Sequence, residues 1–352
     1  MTTDSALNLT LVRDRNDAAV LRAVRARGES GISRVQLAAG TGLTAQAISK
    51  ITARLLGEGL LTEAGRLAGA TGKPRTLLRL VPDARCALGA HLGRSELRLV
   101  RVDLGGAVTG RSAAPADLRG EAGPVLDRLA AMVRELTAGL DPAQVLGLGV
   151  ACPGPLDARD GVLHEVTGMP HWRGLRLREE MAARTGLPVL VEKDTTAGVL
   201  SRLGADHRAY VFLGEGLGAG LVLGGRVHRG ARTNAGEFGH QCVDRAGPVC
   251  ACGARGCLEA VCLAALRAGR PADAAQALGV GVANLVRLLD IEEVLLGGDA
   301  LLDSADLFES AIRAELAARV PDPTWQPVTL TRAPRLAVPL GAAGLALGRV
   351  FG

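Results

Sequence analysis

The chain has 352 residues and a mass of 36.2 kDa, which is too long for one ordinary core, so two or three domains are expected. Hydrophobic residues make up 48% and aromatic residues only 2%, which argues against disorder and against modules that stack exposed bases on aromatic rings. The formal charge of +5 is uneven: residues 1–80 hold 12 Lys and Arg residues against 6 acidic ones, which is typical of a nucleic-acid-binding head, although a generally Arg-rich composition is the alternative.

No apolar run reaches the roughly 18–20 residues that a membrane helix needs. The first ten residues also lack the basic segment and apolar stretch of a secretory signal. We therefore expect a cytoplasmic protein without a membrane partner. Cysteines cluster late in the chain, which in a reducing compartment suggests a metal before a disulfide; they are Cys242, Cys250, Cys252, Cys257 and Cys262.

Three short helices are predicted near the N-terminus: Asp17 to Gly28, Ser33 to Gly40, and Ala45 to about Gly57. Ser33 and Thr44 are favourable N-cap residues for the last two. A helix pair joined by a Gly-containing turn is typical of a helix-turn-helix, whose last helix enters the DNA major groove. A helical bundle used only for dimerisation is the alternative.

A returning hairpin follows, with strands at Gly59 to Glu63 and Lys73 to Leu80 around a Gly-rich loop. We interpret it as the wing of a winged helix-turn-helix domain that spans residues 1–82. The predicted DNA contacts are polar or basic residues of the third helix and the wing. They are Thr44, Gln46, Ser49 and Lys50 toward the groove, and Arg54, Lys73 and Arg75 toward phosphates.

The body, residues 83–352, alternates strands with helices, which indicates an α/β fold with ligands beyond the strand ends. A hairpin is predicted from Ala87 to Leu104 and a helix from Val125 to Leu140. Buried strands are predicted at Val145 to Cys152 and Leu187 to Glu192. Lys193, Asp194 and a helix follow the second of these strands.

Glycines punctuate the body in a pattern that suggests close turns facing a ligand. The segment Tyr210 to Leu223 places four glycines between two apolar strands, where backbone N–H groups could face an anion. A Gly-rich hairpin without a ligand would look the same. The segments Leu295 to Asp299 and Pro339 to Gly344 predict a second Gly-lined edge of this kind.

The strongest chemical signal is a loop at residues 240–257 with one imidazole and three thiols. These residue types suit a closed tetrahedral Zn²⁺ site, and Gly253 and Gly256 allow so short a loop to fold around one ion. Four protein ligands leave no open position, so the zinc is expected to be structural; three buried free thiols are the alternative. The loop would position Glu237 and Glu259, whose carboxylates can accept hydrogen bonds from vicinal hydroxyls. The predicted ligands are His240, Cys250, Cys252 and Cys257.

The run from Leu213 through Gly216, Gly218 and Gly220 to Gly236-x2-Gly239-His240, followed by the zinc motif, resembles the diagnostic segment of the ROK family of repressors, open reading frames and sugar kinases. The resemblance covers about residues 15–352. It implies an actin-like, sugar-kinase (ribonuclease H-like) body of two α/β lobes with the sugar between them. Family members with an added winged helix are sugar-responsive transcriptional regulators, usually repressors.

The resemblance also assigns residues to a sugar site. Asp194 falls where the family's kinases place the base that deprotonates the sugar hydroxyl. Lys193 replaces the Asn that precedes the base, and it could pair with Asp194, bind an acidic or phosphorylated sugar, or be solvated. The remaining sugar-contact positions fall on Gly154, Thr167, Gly216, Glu237, His240 and Glu259.

Two departures from the family pattern argue against kinase activity. The first phosphate loop of the kinases opens with Asp, where this chain has His91, and the second has Thr, where this chain has Glu215. Losing a metal-orienting carboxylate and adding negative charge beside ATP phosphates both oppose phosphoryl transfer.

These patterns predict a sugar-responsive DNA-binding regulator, a repressor, that acts as a homodimer or dimer of dimers on an operator. The alternative is an ATP-dependent sugar kinase with an accessory N-terminal domain. A regulator that has lost its ligand response and depends on partners is a third hypothesis.

Overall fold

The N-terminal head contains the three predicted helices. The computed structural model describes residues 3–67, 75–202, 204–320 and 327–352, with side chains from residue 15 onward except that of Leu67. Ser33 caps the second helix in a reciprocal capping box with Gln36, and the Thr44 hydroxyl accepts a hydrogen bond from Ala47 N–H at the start of the third. The first helix begins well before the predicted Asp17. The helices are α1 (Thr3–Arg27), α2 (Arg34–Thr41) and α3 (Ala45–Gly57).

A small antiparallel sheet completes the head, in the order β1, β3, β2. The predicted hairpin is confirmed, but its first strand continues to Leu67, past the predicted end at Glu63, across an irregularity between Glu63 and Arg66. Lys73 lies outside the described residues. Three helices followed by this hairpin are consistent with the predicted winged helix-turn-helix. The strands are β1 (Ile32–Ser33), β2 (Leu61–Leu67) and β3 (Arg75–Leu80).

The first lobe of the body is a five-stranded mixed sheet in the order β10, β7, β4, β5, β6. The first three of its strands in the chain form an antiparallel meander, and the last two run parallel to its first strand. The predicted hairpin, helix and buried strands are confirmed here. The elements are β4 (Cys86–Leu92), β5 (Glu96–Asp103), β6 (Val108–Pro115), α4 (Ala122–Thr137), β7 (Val145–Cys152), β8 (Leu156–Asp157), β9 (Val162–Leu163), α5 (Leu177–Thr185) and β10 (Val189–Lys193).

The second lobe has the same plan, a sheet in the order β13, β12, β11, β14, β15 with an antiparallel meander and two parallel strands. This repetition confirms the predicted two-lobed α/β body. None of the helices described here combines the length and apolar character needed to cross a membrane. The elements are α6 (Asp194–Val199), β11 (Arg208–Leu213), β12 (Leu217–Leu223), β13 (Arg226–Val227), α7 (Leu258–Arg267), α8 (Pro271–Leu289), β14 (Glu293–Gly297), α9 (Asp299–Leu302), α10 (Ala305–Arg319), β15 (Thr329–Arg332) and α11 (Ala337–Phe351).

The predicted Gly-lined edge at Pro339 to Gly344 is wrong, because this segment forms the first turns of the buried helix α11. Its small residues allow the helix to contact other backbones directly. A Cβ atom at Gly149 of β7 would lie 1.9 Å from the Ala342 carbonyl oxygen, and one at Gly341 would lie 1.7 Å from the Ala197 carbonyl oxygen in α6. Helix α11 is therefore held between the first-lobe sheet and α6.

The head packs onto the body at the C-terminal end of α11. Arg22 donates a hydrogen bond to the Phe351 carbonyl, and Arg25 donates one of 3.0 Å to the Gly105 carbonyl at the tip of the β5–β6 hairpin. The Arg25 guanidinium also lies 4.7 Å from the centre of the Phe351 ring. Head and body thus share one continuous apolar cluster. The boundary at residue 82 falls in the short turn between β3 and β4 and stays a prediction.

Two glycines of α11 test this packing. Gly341→Ala should destabilise the protein by about 3 kcal/mol, because the added methyl group overlaps the Ala197 carbonyl. Gly344→Ala is the matched control: nothing lies within 4 Å of its Cβ position, so the better helix propensity of Ala should leave stability equal or raised by up to about 1 kcal/mol. Urea denaturation measures both, and equal effects would contradict the packing described.

Candidate ligand cavity and metal cluster

A cavity of about 510 Å³ opens between the two lobes, within the size range of small-molecule sites. Residues at the ends of first-lobe strands form one wall, and the turn and loops after β11 form the other. All eight residues predicted to contact a sugar line it, and the structure therefore brings the whole predicted set together; they are Gly154, Thr167, Lys193, Asp194, Gly216, Glu237, His240 and Glu259.

Asp194 lies where strand β10 passes into helix α6. Its Oδ1 atom accepts a 2.6 Å hydrogen bond from the backbone N–H of Thr195, which fixes the carboxyl group at the helix start. Burial raises the pKa of Asp194 to about 6, although the nearby Lys193 and Arg94 charges act in the opposite direction. The carboxyl group can therefore exchange its proton close to neutral pH.

Lys193 is buried, so the alternative of a solvated side chain is wrong. Its ammonium group donates to Glu237 Oε1 at 2.5 Å and to the Ala235 carbonyl at 3.3 Å. The direct partner is thus Glu237 rather than Asp194, which was one of the alternatives, and the pair joins the end of β10 to the loop before the metal cluster. A buried ammonium needs such partners, because unpaired charges are costly to bury.

Two carboxylates from the second lobe point into the cavity. Glu259 belongs to the first turn of α7, and its Oε2 atom accepts a 2.8 Å hydrogen bond from the Leu217 backbone N–H. Glu237 binds Lys193 through Oε1, while its Oε2 atom lies 3.7 Å from His240 Nε2. Both carboxylates keep lone pairs that can accept hydrogen bonds from hydroxyl groups of a ligand.

The four predicted metal ligands converge on one point. Their ligating atoms all lie within 4.8 Å of one another. Cys250 Sγ lies 3.7 Å from His240 Nδ1, and Cys252 Sγ lies 3.7 Å from Cys257 Sγ. A tetrahedral ion with Zn–S bonds of about 2.3 Å requires S···S distances of about 3.8 Å, so the spacing fits. This convergence favours a metal site over three unrelated buried thiols.

The glycines of the metal loop have the predicted role. Gly253 and Gly256 both have positive φ angles, and a Cβ atom at Gly256 would lie 1.5 Å from the Asp244 carbonyl oxygen. Of the remaining clustered cysteines, Cys242 is exposed and Cys262 is buried against α8 with its thiol near the Ala274 carbonyl. Neither is a member of the converging set.

The half of the cavity around His91 and Asp299, called the far side here, lies away from the carboxylates of Glu237 and Glu259. His91 is buried near the end of β4 with its ring edge toward Phe212, and burial lowers its pKa to about 4. It is therefore a neutral imidazole at pH 7. Glu215 is exposed at the β11–β12 turn and lines the same cavity.

Sequence reasoning missed an ion-pair network on this far side. Arg98 of β5 binds Asp299 of α9 through both terminal nitrogens, at 2.5 and 3.4 Å. Arg335 binds Asp299 at 3.2 Å and Asp303 at 2.7 Å. Because the partners of the first pair are 201 residues apart, no local pattern could have indicated the contact. The network joins the two lobes beside the predicted phosphate turns.

The head exposes a polar surface on α3. Arg75 is exposed at the start of β3. The predicted phosphate contact at Arg54 is poorly supported, because its guanidinium binds Asp17 of α1 inside the head and lies near Glu58. Exposed at or near the N-terminal end of α3 are Thr44, Gln46, Ser49 and Lys50.

Comparison with known proteins points to one family. The sequence model described as "ROK family" matches residues 88–269. A xylose repressor of Caldicellulosiruptor bescii is 25% identical over 342 residues, which cover 83% of this chain and 85% of the repressor.

Two solved structures extend the comparison. A ROK family transcriptional regulator, described as a homologue of the E. coli MLC protein, has a TM-score of 0.78 at 26% identity and covers 97% of each chain. A ROK family glucokinase from Streptomyces griseus, solved with glucose and AMPPNP, has a TM-score of 0.64 at 25% identity. It covers 74% of this chain and 98% of the glucokinase. These similarities establish the sugar-kinase type of fold for the body.

Asp194→Asn tests the electrostatics of the cavity. The folded-state pKa of about 6 lies above the ordinary 3.8, so ionisation of Asp194 destabilises the fold as pH rises from about 4 to 6. The Asn variant lacks this penalty and should be more stable than the parent by about 3 kcal/mol at pH 7, with little difference near pH 4. Urea denaturation across this range measures the difference, and a difference that does not change with pH would contradict the raised pKa of Asp194.

Cys250→Ser tests the metal cluster. Removing one of four ligands should release the bound metal, because a hydroxyl is a much weaker ligand than a thiolate. Metal content of the purified protein, measured by inductively coupled plasma mass spectrometry, should fall from about one ion per chain to near zero. Cys242→Ser is the control and should keep its metal. Equal metal content in both variants would exclude Cys250 as a ligand.

Proposed function

The chain belongs to the ROK family, and on that premise we propose that it is a sugar-responsive DNA-binding transcriptional regulator, specifically a repressor. The observation that carries the proposal is the presence in one chain of a head with three helices and a β-hairpin and of a carboxylate-lined cavity between two lobes, packed together through α11. The similarity to a xylose repressor and to a regulator over 97% of the chain supports it.

The DNA-binding surface is the exposed face of α3 together with the wing. Gln46, Ser49 and Lys50 project from the first half of α3, which is the part of a recognition helix that reaches base edges. Arg75 supplies positive charge for a phosphate, and Lys73 is proposed for the same role from the sequence. Arg54 contributes by fixing α3 on α1 through Asp17.

The sugar site is the half of the cavity around Asp194. Glu237 and Glu259 accept hydrogen bonds from neighbouring hydroxyls, Asp194 binds a further hydroxyl, and the Lys193–Glu237 pair fixes the geometry. Gly154, Thr167 and Gly216 provide backbone contacts and room for the ring. The named ligands of the relatives, xylose and glucose, support a monosaccharide or its derivative.

We assign Zn²⁺ to the cluster of His240, Cys250, Cys252 and Cys257. Its four protein ligands leave no coordination position for substrate, so the ion has a structural role. Zinc bound through Nδ1 would leave His240 Nε2 directed at Glu237, where it can orient that carboxylate or contact the ligand. The ion thus holds the loop that carries part of the sugar site.

We propose that the protein is not a kinase. Two observations favour an enzyme: Asp194 stands at the position of the kinase base, and the glucokinase from Streptomyces griseus is similar to the body of this chain. However, phosphoryl transfer depends on positioned positive charge, and at the far side of the cavity Arg98 and Arg335 are already paired with Asp299 and Asp303. His91 is neutral and cannot orient a metal ion as a carboxylate does. ADP release across a hexose panel, abolished by Asp194→Asn, would establish the enzyme instead.

The repressor acts as a homodimer or dimer of dimers in the cytoplasm, where its DNA is found. One head buries too little DNA surface for useful affinity, so two heads on paired half-sites are required. Sugar binding would draw the two lobes together and change the spacing of the heads, which couples two distinct sites.

Fluorescence anisotropy with labelled duplexes from the DNA upstream of its own gene tests the function. The protein should bind one such duplex, and one monosaccharide of a panel should weaken the binding at least fivefold. Arg75→Ala should lower affinity three- to tenfold with unchanged sequence preference and reduce the salt slope by about 1. Arg128→Ala, an exposed arginine of the body, is the control; no duplex binding at low salt would refute the proposal.

A further inference from the structure

Arg94 differs from the other cations of the cavity. Lys193 is bound to Glu237, and Arg98 and Arg335 are bound to Asp299. The Arg94 guanidinium donates only to the Thr167 carbonyl, at 2.6 Å, and no carboxylate lies within ion-pair distance of it among the residues that the structure describes. Its guanidinium therefore forms no direct ion pair within the described part of the chain.

Two glycines leave the space that the Arg94 side chain occupies. A Cβ atom at Gly168 would lie 2.7 Å from its Nη1, and one at Gly216 would lie 3.8 Å from its Nε. The guanidinium thus lies, partly exposed, between a first-lobe loop and the second-lobe turn that follows β11. It is also close enough to Asp194 for its charge to lower the pKa of that carboxyl group.

We propose that the ligand is a sugar bearing a terminal anionic group, such as a phosphate ester, and that Arg94 binds this group. The inference rests on the proposed function and specifies its ligand class. Glu259 Oε2 and Arg94 Nε lie 3.3 and 3.8 Å from the same Cβ position at Gly216. A sugar ring held by Glu237 and Glu259, with one end at Asp194, would therefore direct a substituent at that end toward Arg94. A guanidinium presents paired N–H donors that match phosphate oxygens.

The surrounding charges make this position selective. The cavity wall carries more carboxylates than cations, so an anion is repelled unless it meets a cation that has no partner. At the far side, Asp299 and Asp303 oppose the polyphosphate chain of a nucleotide and their arginines are engaged. The anion is therefore carried on the sugar rather than supplied by ATP.

Calorimetry on the full-length protein tests the inference with paired ligands: aldohexoses, N-acetylhexosamines and pentoses, each as the neutral sugar and as its terminal phosphate. At least one phosphate should bind tenfold or more tightly than its parent sugar. Arg94→Met should weaken that phosphate 10- to 100-fold and the neutral sugar less than threefold, because only the charged contact is lost. The sugar-phosphate affinity of Arg94→Lys should lie between those of the parent protein and Arg94→Met. Glu215→Gln should strengthen sugar-phosphate binding, because it removes a nearby negative charge.

Several outcomes would overturn the inference. They are a neutral sugar that binds as tightly as its phosphate, an equal loss of both in Arg94→Met, and inorganic phosphate or ATP alone binding as well as the sugar phosphate. If neutral sugars bind and release the DNA, the anion subsite fails while the proposed function stands. If no ligand of the panel binds and no duplex is bound, both fail.

Discussion

The architecture depends on the contact of one helix with other backbones. Helix α11 meets β4 at Gly89, β7 at Gly149 and α6 at its own Gly341, and at each point a Cβ atom would lie 2.0 Å or less from a carbonyl oxygen. Such contacts have no side chain that could repack, so the surfaces fit in one relative position. The small residues here are a requirement of packing rather than of turn formation.

This constraint connects the cavity to the head. Asp194 is the first residue of α6, α6 contacts α11 at Gly341, and α11 ends at Phe351 beneath Arg22 and Arg25 of α1. A movement of α6 caused by a ligand at Asp194 cannot be absorbed at the Ala197–Gly341 contact without a clash. On the proposed function, such a displacement would be passed to the end of α11, where the head is attached. A close backbone contact that leaves no room for repacking is a physical basis for that coupling.

Local signals in the sequence were sufficient for most elements and for the set of candidate residues that the structure brings together. Caps at Ser33 and Thr44 and apolar periodicity predicted α2 and α3, and the chemistry of one imidazole and three thiols predicted the metal cluster. The segment Pro339 to Gly344 was misread because its glycines weaken a helix locally by about 1 kcal/mol each, which tertiary packing overrides.

The partners of charged groups could not be predicted in the same way. Lys193 and Glu237 are separated by 44 residues, and Arg98 and Asp299 by 201, so each pair exists only after the lobes have folded. This is why Lys193 could be placed at the cavity from the sequence but not given a partner. It is also why Arg54 looked available for DNA, while Asp17 of α1 binds it.

The distribution of charge explains how a kinase-type cavity can serve recognition. Phosphoryl transfer requires cations that are free to follow charge as it develops on the transferred group. In this cavity the cations that could do so on the nucleotide side are fixed by carboxylates, and the Arg98–Asp299 pair also ties the lobes together. The groups left with open hydrogen-bonding capacity, Asp194, Glu237 and Glu259, line the other half of the cavity. On the proposed function, binding energy would there be directed to a sugar that stays unchanged.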